Sequence, residues 1–434
     1  MSVKMKKRSF IALFLLLALL VPSAAFAEGF GIYEWSASGS GMGEAYMFGE
    51  EDPAVLAYNP AAITRLNGRY LSLGASFFDP FYRTEFHNFG PLNAMHAGNN
   101  LWENEYSPEV APYLYYVDKA GKNSWWGVAL FSRYGNNLDY DNLWPGRYDT
   151  VYSGIKGFTV QPTYAWRFGK DNKWSAAVGL DINYVNLRMK SDKPSGTMYG
   201  SIGSNLDGTS YAVGGVVAIN YDFNPNTSAA LVYRSRIKHD MDADVDISTL
   251  IPLVGNFTTQ AHGSVTLPDS LTFGVSHKFN EGRTRVEADI VWTNWATYDS
   301  LNLNFDKNPL GANLEKVSSV KNWEAAWRFN LGIEHKLSDK WSILLGYVWD
   351  QSPVPDEYMD FTVPTGDRHR GSIGFKYRPA ENHELSFAYT AIVPAERTVH
   401  SNLPYPATGA DFGSATTKDG LTQVVALGYT IKLK

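Results

Sequence analysis

The chain has 434 residues, a formal net charge of −6 and no cysteine. A mildly acidic chain lacks the basic surface that nucleic acid binding requires, and the absence of cysteine excludes disulfides and thiolate metal sites. Aromatic residues make up 14% of the chain, and 38 residues are glycine. This aromatic-rich, moderately polar composition is typical of a membrane barrel, whose strands are apolar on the outside and polar on the inside.

Residues 1–27 have the three parts of a secretory signal peptide. Basic residues at positions 4, 6, 7 and 8 precede an apolar run from Phe10 to Val21, and Ala25 and Ala27 form a small-residue cleavage site. The run is too short for a membrane-spanning helix, which needs roughly 20 residues. An N-terminal anchor is the alternative. We therefore expect an exported mature chain that begins at residue 28.

From about residue 68 onward, apolar and polar residues alternate, which is the pattern of β-strands with two different faces. Between Trp174 and Tyr184, apolar side chains occupy the even positions and small or polar ones the odd positions. Short turns, such as 169–172, alternate with longer polar connections, such as 242–257, as in outer-membrane barrels. The pattern predicts an all-β fold, a 14-stranded antiparallel transmembrane β-barrel over residues 68–434, with strands near 68–79, 108–117, 124–133, 156–168, 173–190, 208–223, 226–241, 258–279, 283–298, 323–337, 340–349, 365–378, 382–394 and 419–434.

Several tryptophans lie near the predicted strand ends. Aromatic rings are enriched where a membrane meets water, so we expect an interfacial girdle that includes Trp125, Trp126, Trp144, Trp166 and Trp174. These aromatic residues need no cofactor to explain them.

Residues 28–67 lack strand alternation and are rich in glycine, serine and acidic residues. Fourteen strands enclose a space that side chains alone cannot fill. We therefore predict that residues 28–67 form an N-terminal hatch, that is, a plug in the lumen of the barrel. A disordered periplasmic tail is the alternative.

An ordered set of short motifs extends from residue 29 to the last strand. It comprises Gly29-Phe30, Ser38-Gly39, Gly43, Ala45-Tyr46, Asn59-Pro60-Ala61, Tyr233-Arg234-Ser235, Leu267-Pro268, Trp292 with Trp295, Asp350-x-Ser352-Pro353-Val354-Pro355 and Asp367-Arg368. In this set the chain resembles the FadL/TodX family of outer-membrane transporters for long-chain fatty acids and hydrocarbons. The resemblance implies a barrel of fourteen strands blocked by its hatch. It also implies a hydrophobic groove among the extracellular loops, an internal binding site and a lateral opening into the bilayer.

Residues 245–257 carry more apolar side chains than a loop in water needs. We interpret them as part of a capture groove for the ligand; packing of the loop on its neighbours is the alternative. Phe30 matches a hatch position that approaches the internal ligand in the family, and packing within the plug is its alternative. The candidate ligand-binding residues of the segment are Leu250, Ile251, Leu253, Val254 and Phe257.

The triplet Asn59-Pro60-Ala61 is expected, from the resemblance, to contact the barrel wall near the lateral opening. Without the resemblance it is an ordinary turn, because proline fixes its own φ and donates no backbone hydrogen bond. Arg234, Arg328 and Arg368 fall opposite apolar neighbours and would lie in the lumen, where a carboxylate ligand needs such donors. The alternative is that these arginines pair with acids of the hatch or the strands.

The sequence has no His-Glu-x-x-His, no Gly-x-Ser-x-Gly and no phosphate loop, so we expect neither an enzyme, a cofactor nor a metal. We predict a passive transporter in the cell outer membrane that carries long-chain fatty acids or hydrocarbons. Its expected partners are a hydrophobic small molecule, outer-membrane lipid and the outer-membrane assembly machinery, for a monomer that binds no nucleic acid. An outer-membrane receptor or adhesin with a closed barrel is the alternative, and a lipid hydrolase is a third hypothesis.

Overall fold

The structure is a computed structural model that describes residues 29–87, 100–194, 201–249, 255–306, 316–364, 366–400 and 414–434. Twenty β-strands in these residues form a single sheet. Their bounds are β1 Arg69–His87, β2 Leu101–Glu103, β3 Glu109–Lys119, β4 Ser124–Asp139, β5 Tyr152–Phe168, β6 Trp174–Pro194, β7 Ser201–Asn224, β8 Thr227–Arg234, β9 Ile237–Thr249, β10 Phe257–Leu267, β11 Ser270–Phe279, β12 Thr284–Thr293, β13 Ser300–Phe305, β14 Lys316–Val320, β15 Ala326–Lys336, β16 Trp341–Asp350, β17 Arg368–Ala380, β18 His383–Pro394, β19 Arg397–His400 and β20 Ser414–Leu433.

The sheet closes into a barrel because its first strand pairs with its last, with Arg69 of β1 opposite Leu433 of β20. Six barrel strands are interrupted and consist of two segments each, namely β2 with β3, β8 with β9, β10 with β11, β12 with β13, β14 with β15 and β18 with β19. Within the described residues, the segments therefore make fourteen antiparallel barrel strands. The predicted barrel is confirmed, and each predicted strand overlaps one observed barrel strand.

The two faces of the barrel wall differ in polarity. On β6, Val178, Leu180 and Ile182 are exposed on the outer face, whereas Asp181 and Asn183 are fully buried on the inner face. A soluble protein shows the reverse arrangement, because its apolar face is the one removed from water. The observed polarity is that of a barrel surrounded by lipid.

Tight turns join the strands at one end of the barrel. At 280–282 all three residues have positive φ angles, between 52° and 83°, a backbone conformation that short hairpin turns use and that glycine and asparagine adopt at low cost. At the opposite end the strands extend further than the sequence pattern predicted. The connection predicted at 242–257 is mostly strand, because β9 ends at Thr249 and β10 begins at Phe257.

The predicted girdle is only partly correct. Trp126 and Trp174 are exposed on the outer face. Trp125 points inward instead, and its indole nitrogen donates to the carbonyl oxygen of Leu66 at 2.9 Å. Trp144 is buried in a connection at the loop end, where it stacks on Tyr140. Both side chains serve packing inside the molecule, which the alternation pattern does not reveal.

Residues 29–67 contain two short helices, α1 (Ala37–Gly41) and α2 (Val55–Tyr58), and a 3-10 helix at Pro60–Arg65. In the described part of the chain, no helix is long and apolar enough to cross a membrane. Almost all of these residues are buried. At Gly43 the segment meets β16 backbone to backbone, since a Cβ on Gly346 would lie 2.0 Å from the Gly43 nitrogen. The burial supports the predicted plug, whose bounds of 28–67 stay a prediction; we call residues 29–67 the plug segment.

Candidate functional site: cavities beside a gap in the barrel wall

The backbone pairing between β3 and β4 is incomplete. Residues 114–119 of β3 pair with residues 125–130 of β4, and the ladder stops there. Residues 109–113 therefore have no backbone pairing with β4, while β4 itself shifts register within residues 131–134. Nearer the loops the two chains meet again, where the Asn137 amide donates to the carbonyl oxygen of Ser107 at 2.9 Å. We call the interval between residues 109–113 and residues 131–136 the gap.

The plug segment supplies the missing backbone partner of β4. Gly31 forms an antiparallel bridge with Tyr134. The N–H of residue 32 donates to the carbonyl oxygen of residue 133, and the N–H of residue 135 donates to that of residue 30, both at 3.0 Å. An edge strand left unpaired within a barrel wall would expose costly backbone groups. Residues 30–32 thus take the place that β3 would occupy along a continuous ladder.

A cavity of about 960 Å³ lies at the gap, and we call it the gap cavity. Both edges of the gap line it, through Val110 and Ala111 on β3 and through Ser132 and Gly135 on β4. The start of the plug segment, the inner face of β17 and residues of β1, β5, β18 and β20 also line it. On the outer face, Phe77, Val110 and Leu114 beside the gap are exposed. The cavity is therefore bordered by the apolar outer surface of the barrel.

Phe30 sits at the centre of an aromatic cluster. Its ring centroid lies 4.7 Å from that of Trp295, 5.6 Å from Trp323, 5.8 Å from Tyr298 and 6.1 Å from Tyr134. Edge-to-face ring contacts at such distances are favourable beyond the area that they bury. The cluster holds the start of the plug segment beside the gap.

A second cavity, of about 610 Å³, is lined by Phe30 and shares the lining residues Asn136 and Ile155 with the gap cavity; we call it the apolar cavity. Lys321 lines this cavity, and its ammonium group is paired with the Asp360 carboxylate. Nearly all of the other large side chains of the lining are apolar. They are Phe30, Ile155, Val185, Leu187, Met189, Met241, Val265, Leu267, Tyr298, Trp323 and Val363.

Of the candidate ligand-binding residues in the predicted capture groove, the structure describes Phe257 only. Leu250, Ile251, Leu253 and Val254 lie outside the described residues. Phe257 is half-buried and lines an outer cavity of about 850 Å³ together with Ile247. This cavity does not share lining residues with the apolar cavity or the gap cavity. The role of these residues in capture stays a prediction.

The three predicted lumenal arginines face the interior but have partners there. Arg328 pairs with Glu44 of the plug segment at 2.6 Å, and Arg234 pairs with Asp181 of β6 at 3.0 Å. Arg368 lines the gap cavity and donates to the carbonyl oxygen of Gly29 at 3.0 Å. Arg328 and Arg234 therefore make the contacts expected under the alternative hypothesis, in which lumenal arginines pair with acids of the plug segment or the strands.

The triplet at positions 59–61 contacts the barrel wall. The Asn59 amide donates to the Met47 carbonyl oxygen at 2.9 Å, and the Asn59 side chain is hydrogen-bonded to that of Asn220 on β7. The Asn59 side-chain oxygen also accepts from the N–H of Ala61, so it caps the 3-10 helix that begins at Pro60. None of the three residues lines the gap cavity. The wall contact is present, and a role at an opening stays a prediction.

Sequence reasoning missed the two side chains that span the gap. The Lys156 ammonium of β5 lies 2.8 Å from a Glu109 carboxylate oxygen of β3. Both residues also line the gap cavity. Lys156 interrupts the apolar outer face of β5, which is the signal that could have drawn attention to it; Glu109 carried no such signal.

Comparisons with known proteins agree on one relationship. A family profile described as outer membrane protein transport protein (OMPP1/FadL/TodX) matches residues 18–432. The long-chain fatty acid transport protein of Escherichia coli is 24% identical over 400 residues, which cover 82% of this chain and 86% of that protein. The structure of a Pseudomonas aeruginosa FadL homologue has a TM-score of 0.79 at 17% identity and covers 94% of this chain and 100% of its own. That of the P. putida toluene transporter TodX has a TM-score of 0.68 at 15% identity, with coverage of 94% and 99%.

Proposed function

The chain belongs to the outer membrane protein transport family (OMPP1/FadL/TodX), and from this membership we propose that it is a passive transporter of hydrophobic compounds. The predicted family and the predicted outer-membrane localisation are confirmed. Relatives are named as transporters of long-chain fatty acids and of toluene. We propose the same broad class of ligand for this chain. That it is not an enzyme stays a prediction, which its membership in a family of transport proteins supports.

We propose that the ligand is captured at the loop end, held in the apolar cavity and released sideways through the gap. An apolar solute gains roughly 0.8 kcal/mol for each CH₂ group that is kept out of water. A route from an apolar cavity into lipid therefore costs less than a route through an aqueous channel. The expected partners are the ligand and outer-membrane lipid, and the assembly machinery acts only during insertion.

The gap between β3 and β4 is the observation that carries this proposal. Over residues 109–113 the wall has no strand-to-strand pairing at the gap, and the cavity behind it is bordered by apolar outer surface. Only residues 30–32 of the plug segment complete the β4 ladder there. A small displacement of three residues would connect the interior with the bilayer, whereas elsewhere a whole ladder would have to separate.

Filling the gap with a bulky side chain tests the proposal. A Cβ on Gly135 would lie 3.3 Å from the flexible end of Ile32, so that Gly135→Trp places a ring in the gap. Gly371 is the matched control, since it is exposed on the outer face of β17 and its Cβ would meet nothing within 4 Å. Uptake of radiolabelled oleate and toluene is measured in Escherichia coli cells that lack their own long-chain fatty acid transport protein.

We expect the wild-type chain and Gly371→Trp to restore uptake of at least one of the two compounds, and Gly135→Trp to lower the initial rate at least tenfold at equal amounts of folded barrel. Equal uptake by both variants would rule out the gap as the exit. No uptake by the wild-type chain in either assay would contradict transport and favour the receptor alternative.

A further inference from the structure

The ion pair between Glu109 and Lys156 joins strands that are not neighbours. Glu109 lies on β3 and Lys156 lies on β5, with β4 between them, yet their charged atoms are 2.8 Å apart. Within the described part of the chain, no other ion pair connects β3 with β5. An ordinary cross-strand pair connects adjacent strands. The Glu109–Lys156 pair instead reaches across an intervening strand, β4.

The order of side chains across the gap shows what this pair crosses. Lys156 is the register partner of Gly135 on β4, and partners in an antiparallel ladder lie on the same face. A Cβ on Gly135 would have Ile32 of the plug segment as its nearest neighbour. Glu109 stands on the far edge of the gap. To reach Glu109, the Lys156 side chain has to cross the position of Gly135, which has no side chain and beside which Ile32 lies.

We propose that Glu109 and Lys156 form a latch that closes the gap over residues 30–32 of the plug segment. This inference rests on the proposed release through the gap, and it names the two residues that control it. With the latch formed, the β3 edge is tied to β5 across the plug segment. With the latch broken, the backbone bonds to β4 and the Phe30 cluster still hold residues 30–32, but the β3 edge is no longer tied to β5.

The exposure of both partners suits a contact that opens repeatedly. The side chains of Lys156 and Glu109 are 48% and 32% exposed. Ion pairs with this much contact with solvent are weak, and salt screens them. A lysine with a long apolar stem can follow the barrel surface while its ammonium group reaches water. The latch thus biases the gap toward the closed state without locking it.

A thiol at position 32 reports on the latch directly. The chain contains no cysteine, so Ile32→Cys is the single reactive site in the folded protein. Its labelling rate with N-ethylmaleimide is measured in proteoliposomes, alone and combined with Glu109→Gln, Lys156→Gln, the reversals Glu109→Lys and Lys156→Glu, and the double reversal. Folding of every variant is checked by the mobility shift of unheated barrel on a denaturing gel.

Each single variant is expected to raise the labelling rate about two- to fivefold, the range that corresponds to an exposed ion pair. The double reversal should return the rate to that of Ile32→Cys alone, and high salt should raise the rate only where the pair is intact. Two controls accompany these variants. Glu103→Gln removes an exposed ion pair with Arg83 away from the gap, and Ala37→Cys reports on the far side of the plug segment, where Ala37 packs against β18 and β20.

Unchanged labelling in the single variants would overturn the latch, as would faster labelling that the double reversal fails to restore. Equal acceleration at Ala37→Cys would also overturn it, because the whole plug segment would then have loosened. The Gly135→Trp uptake experiment is independent of these readouts. If the labelling results contradict the latch while Gly135→Trp still blocks uptake, the proposed exit route stands without the latch. If the labelling results support the latch while Gly135→Trp does not lower uptake, the latch exists but does not control transport.

Discussion

Arg328 and Glu44 form a fully buried ion pair between β15 and the plug segment, with a separation of 2.6 Å. Removing one member of a buried pair leaves the other charge uncompensated, which typically costs 3–5 kcal/mol. We expect Arg328→Ala to lower the free energy of unfolding by about 3–5 kcal/mol. The measurement is urea-induced unfolding of the folded protein in detergent, followed by tryptophan fluorescence.

The exposed pair of Arg83 and Glu103 is the matched control, because its partners are 38% and 53% exposed. Arg83→Ala should change the free energy of unfolding by no more than about 1 kcal/mol. If Arg328→Ala and Arg83→Ala lowered the free energy of unfolding equally, the buried pair between Arg328 and the plug segment would contribute no more to stability than an exposed pair.

Sequence reasoning could place these arginines but could not find their partners. Alternation along a strand assigns Arg328 to the inner face, since its neighbours on either side are apolar. Its partner Glu44 is 284 residues away in the chain, and no periodic pattern links two residues at that separation. A functional reading of a lumenal arginine therefore depends on the fold, because only the fold shows which charges are already paired.

Strand number was predictable and strand length was not, and β9 shows the physical reason. Asp240, Asp242 and Asp244 are exposed on its outer face, while Ala243 and Val245 are buried on its inner face. This polarity is the inverse of that on the lipid-facing part of β6. Beyond the bilayer the outer face of a barrel strand meets water, and here the inner face packs in an apolar cluster. A search for apolar-out alternation therefore ends the strand too early.

The plug segment is also tethered at the turn end of the barrel, through Glu50. Burial opposes ionisation of this carboxyl, but the hydrogen bond and charge of Lys278, together with Lys336, outweigh it and lower the pKa of Glu50 to about 2. A carboxyl with a depressed pKa stabilises the folded state above its unfolded pKa of about 4.3, and this stabilisation is lost as the pH falls toward the folded value.

Wild type and Glu50→Gln should therefore differ in melting temperature at pH 5 to 7, with the wild type more stable. The difference should shrink below about pH 4.3 and vanish near pH 2. Circular dichroism melting curves at closely spaced pH values measure it. Glu281→Gln, an exposed acid in the neighbouring turn, is the control and should leave the wild-type pH profile unchanged. A Glu50→Gln profile parallel to the wild type across this range would contradict the tether.

At the scale of the whole molecule, the plug segment and the barrel are complementary in charge. Acids of the segment meet bases of the wall, as Glu34 meets Arg370, Glu44 meets Arg328 and Glu50 meets Lys278. The first two pairs are fully buried. Complementary charges on the two partners orient a segment within a lumen and disfavour other positions of it. The composition of residues 28–67 predicted a plug, whereas the pairing that fixes its position required the structure.

Deleting residues 29–67 while keeping residues 1–28 tests whether the plug segment closes the barrel. Fourteen strands enclose a lumen too wide for side chains to fill, so removal of the segment should leave a water-filled pore. Arg328 and Arg370 would then be solvated by water in the open lumen. Single-channel recordings in planar bilayers should show steady ion conductance for the deletion variant and little for the wild-type chain. A deletion variant that folds but conducts no more than wild type would mean that another part of the chain closes the lumen.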